Sequence, residues 1–274
     1  MEFNCKNRII LENERTKLEP LEWRHMDELL PIAIQHPDLL RYSPSEFGTE
    51  AALRKYFEAA LKQRNKHIRY PFAIYDKLVG KYAGSTSYGN ISNANQRIEI
   101  GWTWLDKNRQ RTGLNRHNKF LMLRYAFEDL QFERLELKTD SRNEQSRKAI
   151  EAIGATYEGT LRSHTLMSNG YRRDTVYYSI LKTEWQEIKT TIFEGISSSK
   201  TPKIDQREQL THRPFTYKVT KNNTLLIYRD NRQVKIISGK TATSFLSLAE
   251  QADEQTIQLK LAKLTGHYKH GNER

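Results

Sequence analysis

Residues Ile98 to Gly154, IEIGWTWLDKNRQRTGLNRHNKFLMLRYAFEDLQFERLELKTDSRNEQSRKAIEAIG, constrain this chain more than any other stretch. They read as a strand, a turn built on Gln110-x-x-Gly113, a long helix, a second strand and a short helix. Apolar residues at Leu121, Met122, Tyr125, Ala126 and Leu130 recur at helical spacing and give Leu114 to Leu130 a wide buried face. Arg134 to Asp140 alternates, with Leu135, Leu137 and Thr139 on one side and Glu136, Lys138 and Asp140 on the other, as in a strand with one face buried. Asn143 is placed to cap a helix that buries Ala149, Ile150 and Ile153 and stops at Gly154. The first amides of a helix lack intrahelical partners and sit at the positive end of its dipole, so the turn Gln110 to Asn115 is a cradle for an anion. Gly113 lets the backbone approach closely, and Arg109 and Arg111 add charge for phosphates. A lone Q-x-x-G is weak, and an ordinary glycine loop before a helix is its plain alternative. The flanking strands carry the argument: a diphosphate in the cradle, with a thioester arm in a gap between the strands, points to acyl-coenzyme A chemistry.

The rest of the first 181 residues alternates in the same way. Arg8 to Leu21 reads as a strand or short hairpin, Arg24 to Ile34 and Glu50 to Arg64 as helices, and Tyr70 to Tyr75, Lys81 to Ile91 and Arg97 to Leu105 as strands, with a turn near Asn90 to Gln96. Thr156 to Met167 and Arg172 to Leu181 read as two further strands joined at Asn169-Gly170.

Over about residues 1–185 these motifs resemble the GNAT N-acetyltransferase superfamily, in the branch of the RimJ and RimL ribosomal-protein acetyltransferases. The family loop is Q/R-x-x-G-x-G/A. Gln110, Gly113 and Asn115 fall on its marked positions, Asn115 departing from the small residue. LEPL (18–21), GSTSY (84–88), EIGWTWL (99–105), ELKTDSRNEQSRKAIEAIGA (136–155), EGTLR (158–162) and RDTVYYSIL (173–181) are similar to the branch as well. The resemblance implies an α/β (α+β) GNAT fold, a mixed, strongly twisted sheet flanked by helices whose fourth and fifth strands splay apart. It implies acetyl-CoA as co-substrate, no metal, and direct attack by a primary amine. The coenzyme would lie on the backbone near Trp102 to Leu105, and so on Trp104 and Leu105. It would also meet Gln110, Arg111, Thr112, Gly113, Leu114 and Asn115, together with Asn143 and Ser146. Glu99 is a candidate general base, with pairing to a cation or a neighbouring strand as its structural alternative. His164 is the second candidate, against a structural or exposed histidine, and a water chain could replace both. Ser146 is the candidate donor to the leaving thiolate, a task a tyrosine elsewhere could also perform. For Asn143, capping alone and coenzyme contact both stand. The acceptor is a protein N-terminus or a small amine, and a homodimer is common in the branch. A coenzyme-A-binding or nucleic-acid-binding regulator that keeps the fold without turnover is the rival reading.

The 274 residues suffice for a GNAT domain over 1–189, a linker over 190–210 with Ser197 to Ser199 and Pro202, and a small domain over 211–274. The last reads as a three-stranded meander, Phe215 to Lys221, Thr224 to Asp230 and Gln233 to Ser238, with turns at Asn222-Asn223 and Asn231-Arg232. Helices over Thr241 to Gln251 and Glu254 to Leu264 follow. Net charge is +12, and the stretch from Lys200 onward holds 14 Lys+Arg against 7 Asp+Glu. That density, with His267, Tyr268 and His270 in the tail, fits contact with the ribosome or RNA, or else a solvated tail. The only cysteine, Cys5, excludes an internal disulfide and a Cys-rich zinc site. No apolar run reaches the length of a membrane span, and no secretory leader is read at the N-terminus, so a cytoplasmic protein is expected.

Overall fold

An N-terminal hairpin, β1 (Ile9–Glu12) and β2 (Thr16–Pro20), sets one side of the main sheet. Its turn is closed by Asn13, whose Oδ1 accepts from the amides of Arg15 (3.0 Å) and Thr16 (3.1 Å). The computed structural model describes residues 2–167, 169–196, 203–204, 215–220, 222, 224–229, 232–249 and 254–265. Helices α1 (Met26–Gln35) and α2 (Glu50–Asn65) follow, α2 capped by Thr49, whose Oγ1 accepts from Ala52 N at 3.1 Å. An antiparallel meander comes next: β3 (Arg69–Asp76), β4 (Lys81–Ser92) and β5 (Arg97–Leu105). Helix α3 (Leu114–Arg124) runs on through a π turn, Tyr125–Asp129, into β6 (Arg134–Asp140). Then come α4 (Glu144–Glu151), β7 (Thr156–Leu166), β8 (Arg172–Leu181) and α5 (Lys182–Thr191). A two-residue β9 (Lys203–Ile204) pairs with β1.

The sheet order is β7-β8-β6-β5-β4-β3-β2-β1-β9. Every pairing is antiparallel except β5 with β6, which α3 connects, because a parallel neighbour needs a crossover. The sheet is covered on both faces. Leu29, Ile32, Leu53 and Phe57 of α1 and α2 pack with Ala73 and Trp104 in one cluster. Leu114, Leu121, Met122, Ile150 and Trp185 of α3, α4 and α5 pack with Ile74, Ile98 and Leu135 in the other. Burial of those side chains supplies most of the driving force for the unit.

Three local expectations change. Asp140, expected on an open face, is fully buried because Arg142 folds back on it through Nε (3.0 Å) and Nη2 (2.8 Å). Ala149 faces solvent, and α4 buries Ile150 and Ile153 alone. The linker does not begin at 190: α5 continues to Thr191, Phe193 is buried against Phe120 and Trp185, and Lys203–Ile204 extends the sheet. Trp185, Ile188 and Ile192, three and then four residues apart, form the apolar stripe that makes this segment a helix of the domain. Residues 197–202 and 205–210 of the expected linker, and the tail from 266 with its histidines, lie outside the described residues.

Residues 205–274 form a second unit. Its meander is β10 (Phe215–Val219), β11 (Leu225–Arg229) and β12 (Arg232–Ile237), followed by α6 (Lys240–Ala249) and α7 (Glu254–Thr265). Phe215, Leu225, Ile227, Phe245 and Leu261 make its core. Buried Gln258 ties α7 to β10, accepting from Phe215 N (3.0 Å) and donating to Phe215 O (2.7 Å). Asn223 and Asn231, expected in its turns, lie outside the described residues.

Gly154 stops α4 in a left-handed conformation (φ +87°), and a Cβ there would meet Ile188 and Ile192 of the α5 stripe at 2.9 Å. Gly154→Ala is therefore expected to cost about 1–2 kcal/mol, strain and crowding together, read as a lower midpoint in urea unfolding with unchanged m.

Candidate active site

Strands β5 and β6 begin as neighbours and then part. They pair at Arg97–Arg134, Ile98–Leu135 and Glu99–Glu136, and the ladder ends there. β5 continues to Leu105 against β4, and β6 to Asp140 against β8, so the facing edges of 100–105 and 137–140 have no strand between them. These are the fourth and fifth strands of the expected fold, counting the N-terminal hairpin as one.

A bulge in β5 bends it away. The β4–β5 register slips between Ser87–Gly101 and Ser85–Trp104, and Trp102 takes φ +51°. A non-glycine residue in that region is strained and needs support from its surroundings. Two features supply it. Gly89 on β4 leaves room for the indole, since a Cβ there would lie 2.3 Å from it. Arg69 on β3, only 2% exposed, holds its guanidinium 4.7 Å from the Trp102 ring and 5.0 Å from the Tyr56 ring. Arg69 also donates to Ser87 Oγ (2.7 Å) and Tyr56 Oη (2.6 Å), and burial pulls its pKa down. Trp104 is buried on the same side against Phe47 and Tyr56, so it can meet a ligand in the opening only through its backbone.

At the outer end of the opening lies the loop before α3. Gly113 has φ +84°, and a Cβ there would meet nothing within 4 Å. The first helical bond runs from His117 N to Gly113 O, and the amides of Arg111 to Arg116 have no hydrogen-bond partner among the described residues. The first turn carries no acidic residue, while Arg111 and Arg116 are exposed beside it. This open, basic cradle fits an anionic diphosphate. Gln110 shapes the loop: its Nε2 donates to Leu105 O (3.1 Å), and its Oε1 accepts from Gln145 Nε2 of α4 (2.9 Å). Thr112 Oγ1 donates to Arg109 O and accepts from Arg15 Nη2, while Leu114 is core and Asn115 is half-buried.

On the far side, Asn143 Oδ1 caps α4 by accepting from Ser146 N at 3.1 Å. Ser146 is half-buried in that first turn, and its hydroxyl has no partner among the described residues. Glu99 sits at the point where the strands part, 2% exposed, accepting from Asn90 Nδ2 and ion-paired to Lys138 Nζ of β6 at 2.9 Å. His164 is exposed on the edge strand β7, its Nδ1 near Thr175 Oγ1 (3.1 Å) and its ring 5.9 Å from that of Tyr177. The geometry thus gathers the Gln110–Asn115 loop and α4 around the opening, with Glu99 at its root. His164 is set apart by β8. Cys5 is buried, and burial pushes its thiol pKa up.

Sequence reasoning missed Arg69, Gly89, Lys138 and Gln145, each defined by a cross-strand or cross-helix neighbour. A cavity of about 230 Å³ lies between the loop after α1 and the β7–β8 turn, where Leu40, Arg41, Phe47, Met167 and Asn169 line it. Phe47 connects it to Trp104 of β5.

Comparison with known proteins identifies the family. The acetyltransferase (GNAT) domain family matches residues 15–156, just over half of the chain. The chain is 36% identical over 113 residues to the Bacillus subtilis (strain 168) protein named "Putative ribosomal N-acetyltransferase YdaF", covering 41% of this chain and 59% of that one. A GCN5-related N-acetyltransferase from Brucella melitensis superposes with a TM-score of 0.65 at 29% identity, over 73% of this chain and 93% of that one. A "putative acetyltransferase" from T. thermophilus gives 0.62 at 34% identity, over 69% and 97%. Residues 205–274 lie outside the family match.

Gly89→Ala drives a methyl into the Trp102 indole. It is expected to cost about 1–3 kcal/mol in chemical denaturation. Most of that loss should return in the double variant with Trp102→Phe, whose smaller ring lacks the clashing atoms; simple additivity of the two changes would refute this packing.

Proposed function

Because the chain belongs to the GNAT acetyltransferase family, we propose that its N-terminal unit, residues 1–204, transfers an acetyl group from acetyl-CoA to a primary amine. The observation that carries this reading is the cradle of free amides at Gly113, set beside a sheet opened between β5 and β6. The diphosphate is held by the amides from Arg111 to Asn115, with Gln110, Thr112 and Leu114 shaping the loop and Arg111 adding charge. Trp104 and Leu105 offer backbone groups along the free edge of β5, and Asn143 and Ser146 form the opposite wall.

The amine nitrogen attacks the thioester carbon, the C–S bond breaks, and the thiolate leaves. Glu99 takes the proton from the amine, directly or through water, and Ser146 gives one to the sulfur as it takes one from water, the Glu99 proton passing to solvent. Lys138 orients the Glu99 carboxylate and keeps it at the root of the opening. His164 is the second base candidate, and its contacts with Thr175 and Tyr177 on the edge favour Glu99 over it.

The acceptor enters by the cavity beside Phe47, between the loop after α1 and the β7–β8 turn. The name of the Bacillus relative and the likeness to the RimJ and RimL branch favour a protein N-terminus over a small amine. The basic C-terminal unit recruits that acceptor through ribosomal or RNA contact in the cytoplasm, and the enzyme works as a homodimer. No helix among the described residues is long and apolar enough to cross a membrane.

Incubation with labelled acetyl-CoA and a panel of N-terminal peptides and small amines tests transfer; no labelled product with any of them refutes it. Gly113→Asp sets a carboxylate against the diphosphate and should weaken coenzyme A binding about tenfold or more in calorimetry. Glu99→Gln and Ser146→Ala should retain binding while kcat falls, about a hundredfold for the base. Removal of residues 205–274 should abolish co-sedimentation with ribosomes at low salt.

A further inference from the structure

Helix α3 carries a lysine where its apolar face should be. Lys119 is 6% exposed, within a run where Asn118, Phe120, Leu121, Met122 and Leu123 are all buried. Its Nζ donates to one protein group, Thr103 Oγ1, at 3.0 Å. Thr103 in turn shares a hydrogen bond of 2.8 Å with Thr86 Oγ1. No carboxylate lies within ion-pair distance of Lys119 among the described residues. An ammonium has three donors and is costly to bury, so a single hydroxyl leaves it under-satisfied.

Its position suggests what completes it. Thr103 directly follows Trp102, within the stretch of β5 that has lost β6 as a neighbour, and lies between Leu105 at the loop and Glu99 at the root. Lys119 comes five residues after Leu114, about 7–8 Å along the helix axis from the cradle. A chain running from the cradle along the free edge of β5 passes Thr103, whose hydroxyl Lys119 holds. We propose that Lys119 is a coenzyme-binding residue, donating its free N–H groups to amide or hydroxyl oxygens of the arm that joins diphosphate to thioester. This rests on the acetyl-CoA reading above.

Burial pulls the Lys119 pKa from 10.5 down to about 7, so in the free protein above neutrality most of it is uncharged. From β5 the Thr103 hydroxyl meets it, and the Thr86 hydroxyl of β4 bonds to Thr103 and to Met122 Sδ, so the groups recorded around it are neutral. Arg15, Asp76 and His117 gather on the other flank of α3, around Asn118 and Thr112. Glu99 and Lys138 pair with each other on the opposite face of the sheet. Oxygen acceptors from the arm favour the charged amine, so binding above neutrality draws in a proton. In the free protein the unfolded chain binds the extra proton between about pH 7 and 10.5. Lys119 therefore burdens the fold fully below about pH 7, and the burden lifts as pH rises toward 10.5.

Calorimetry at pH 8 with coenzyme A, in buffers of different ionisation enthalpy, tests this on the full chain. The unaltered protein should take up a proton on binding. K119M should bind roughly ten- to a hundredfold more weakly, show no such uptake and melt no lower than the unaltered protein. Unchanged affinity in K119M overturns the inference. Should K119M melt lower, uptake in the unaltered protein decides: buffer-dependent enthalpy upholds the inference, and its absence overturns it. If the unaltered protein binds no coenzyme A, the acetyl-CoA reading itself falls and takes this inference with it.

Discussion

One strained residue sets the geometry on which the rest depends. Trp102 at φ +51° makes β5 bulge away from β6, and the edge left beyond the bulge is the wall of the opening. A bulge survives when the surroundings over-determine it. Here the surroundings are a glycine that makes room for the indole and a buried guanidinium stacked upon it. Among the described residues Arg69 has no carboxylate partner; two hydroxyls and two aromatic rings hold it.

The two walls of the opening belong to different elements, and Gln110 joins them. Its side chain spans from Leu105 O to Gln145, so it ties together the end of β5, the loop before α3 and the first turn of α4. That coupling matters for a helix N-terminus as an anion site. Free amides bind well only when their directions are fixed beforehand, because ordering them on binding would consume the gain. Arg15, through Thr112, ties the loop to the turn of the N-terminal hairpin as well. The loop therefore owes its shape to side chains two and three elements away, and the glycine supplies only permission.

Much of this was legible in the sequence, for a physical reason. The alternation of Arg134 to Asp140, the cap at Asn143 and the stop at Gly154 are local signals, and each fell within a residue or two of its element. What the sequence concealed was set by tertiary neighbours. Asp140 looks like a surface residue until Arg142 folds back to cover it. The α5 segment looks like the start of a linker because its stripe, Trp185, Ile188 and Ile192, is short and flanked by Lys, Glu and Thr. Lys119 was hidden for the opposite reason: a lysine in an amphipathic helix is ordinarily read as part of the wet face. Only the contact with Thr103 shows that it points inward. The splay was expected from resemblance alone, since the residues that enforce it, Gly89 and Arg69, lie on other strands.

Glu99 shows how fold and chemistry constrain each other. It occupies the last rung that β5 and β6 share, where the strands are still bound and about to part. A carboxylate there needs a partner, and Lys138, two residues beyond the rung on β6, supplies one across the widening gap. The pair bridges the strands at the point where backbone bonds cease, and so limits how far the opening extends inward. The same pairing bears on proton transfer. As the proposed general base, Glu99 has to exchange its Lys138 contact for the arriving amine or receive the proton through water. Asn90, the other donor to Glu99, sits at φ +46° at the end of β4 and keeps the carboxylate in place if Lys138 swings aside. The proposed role thus asks one carboxylate both to hold Lys138 across the gap and to accept a proton through the same oxygens.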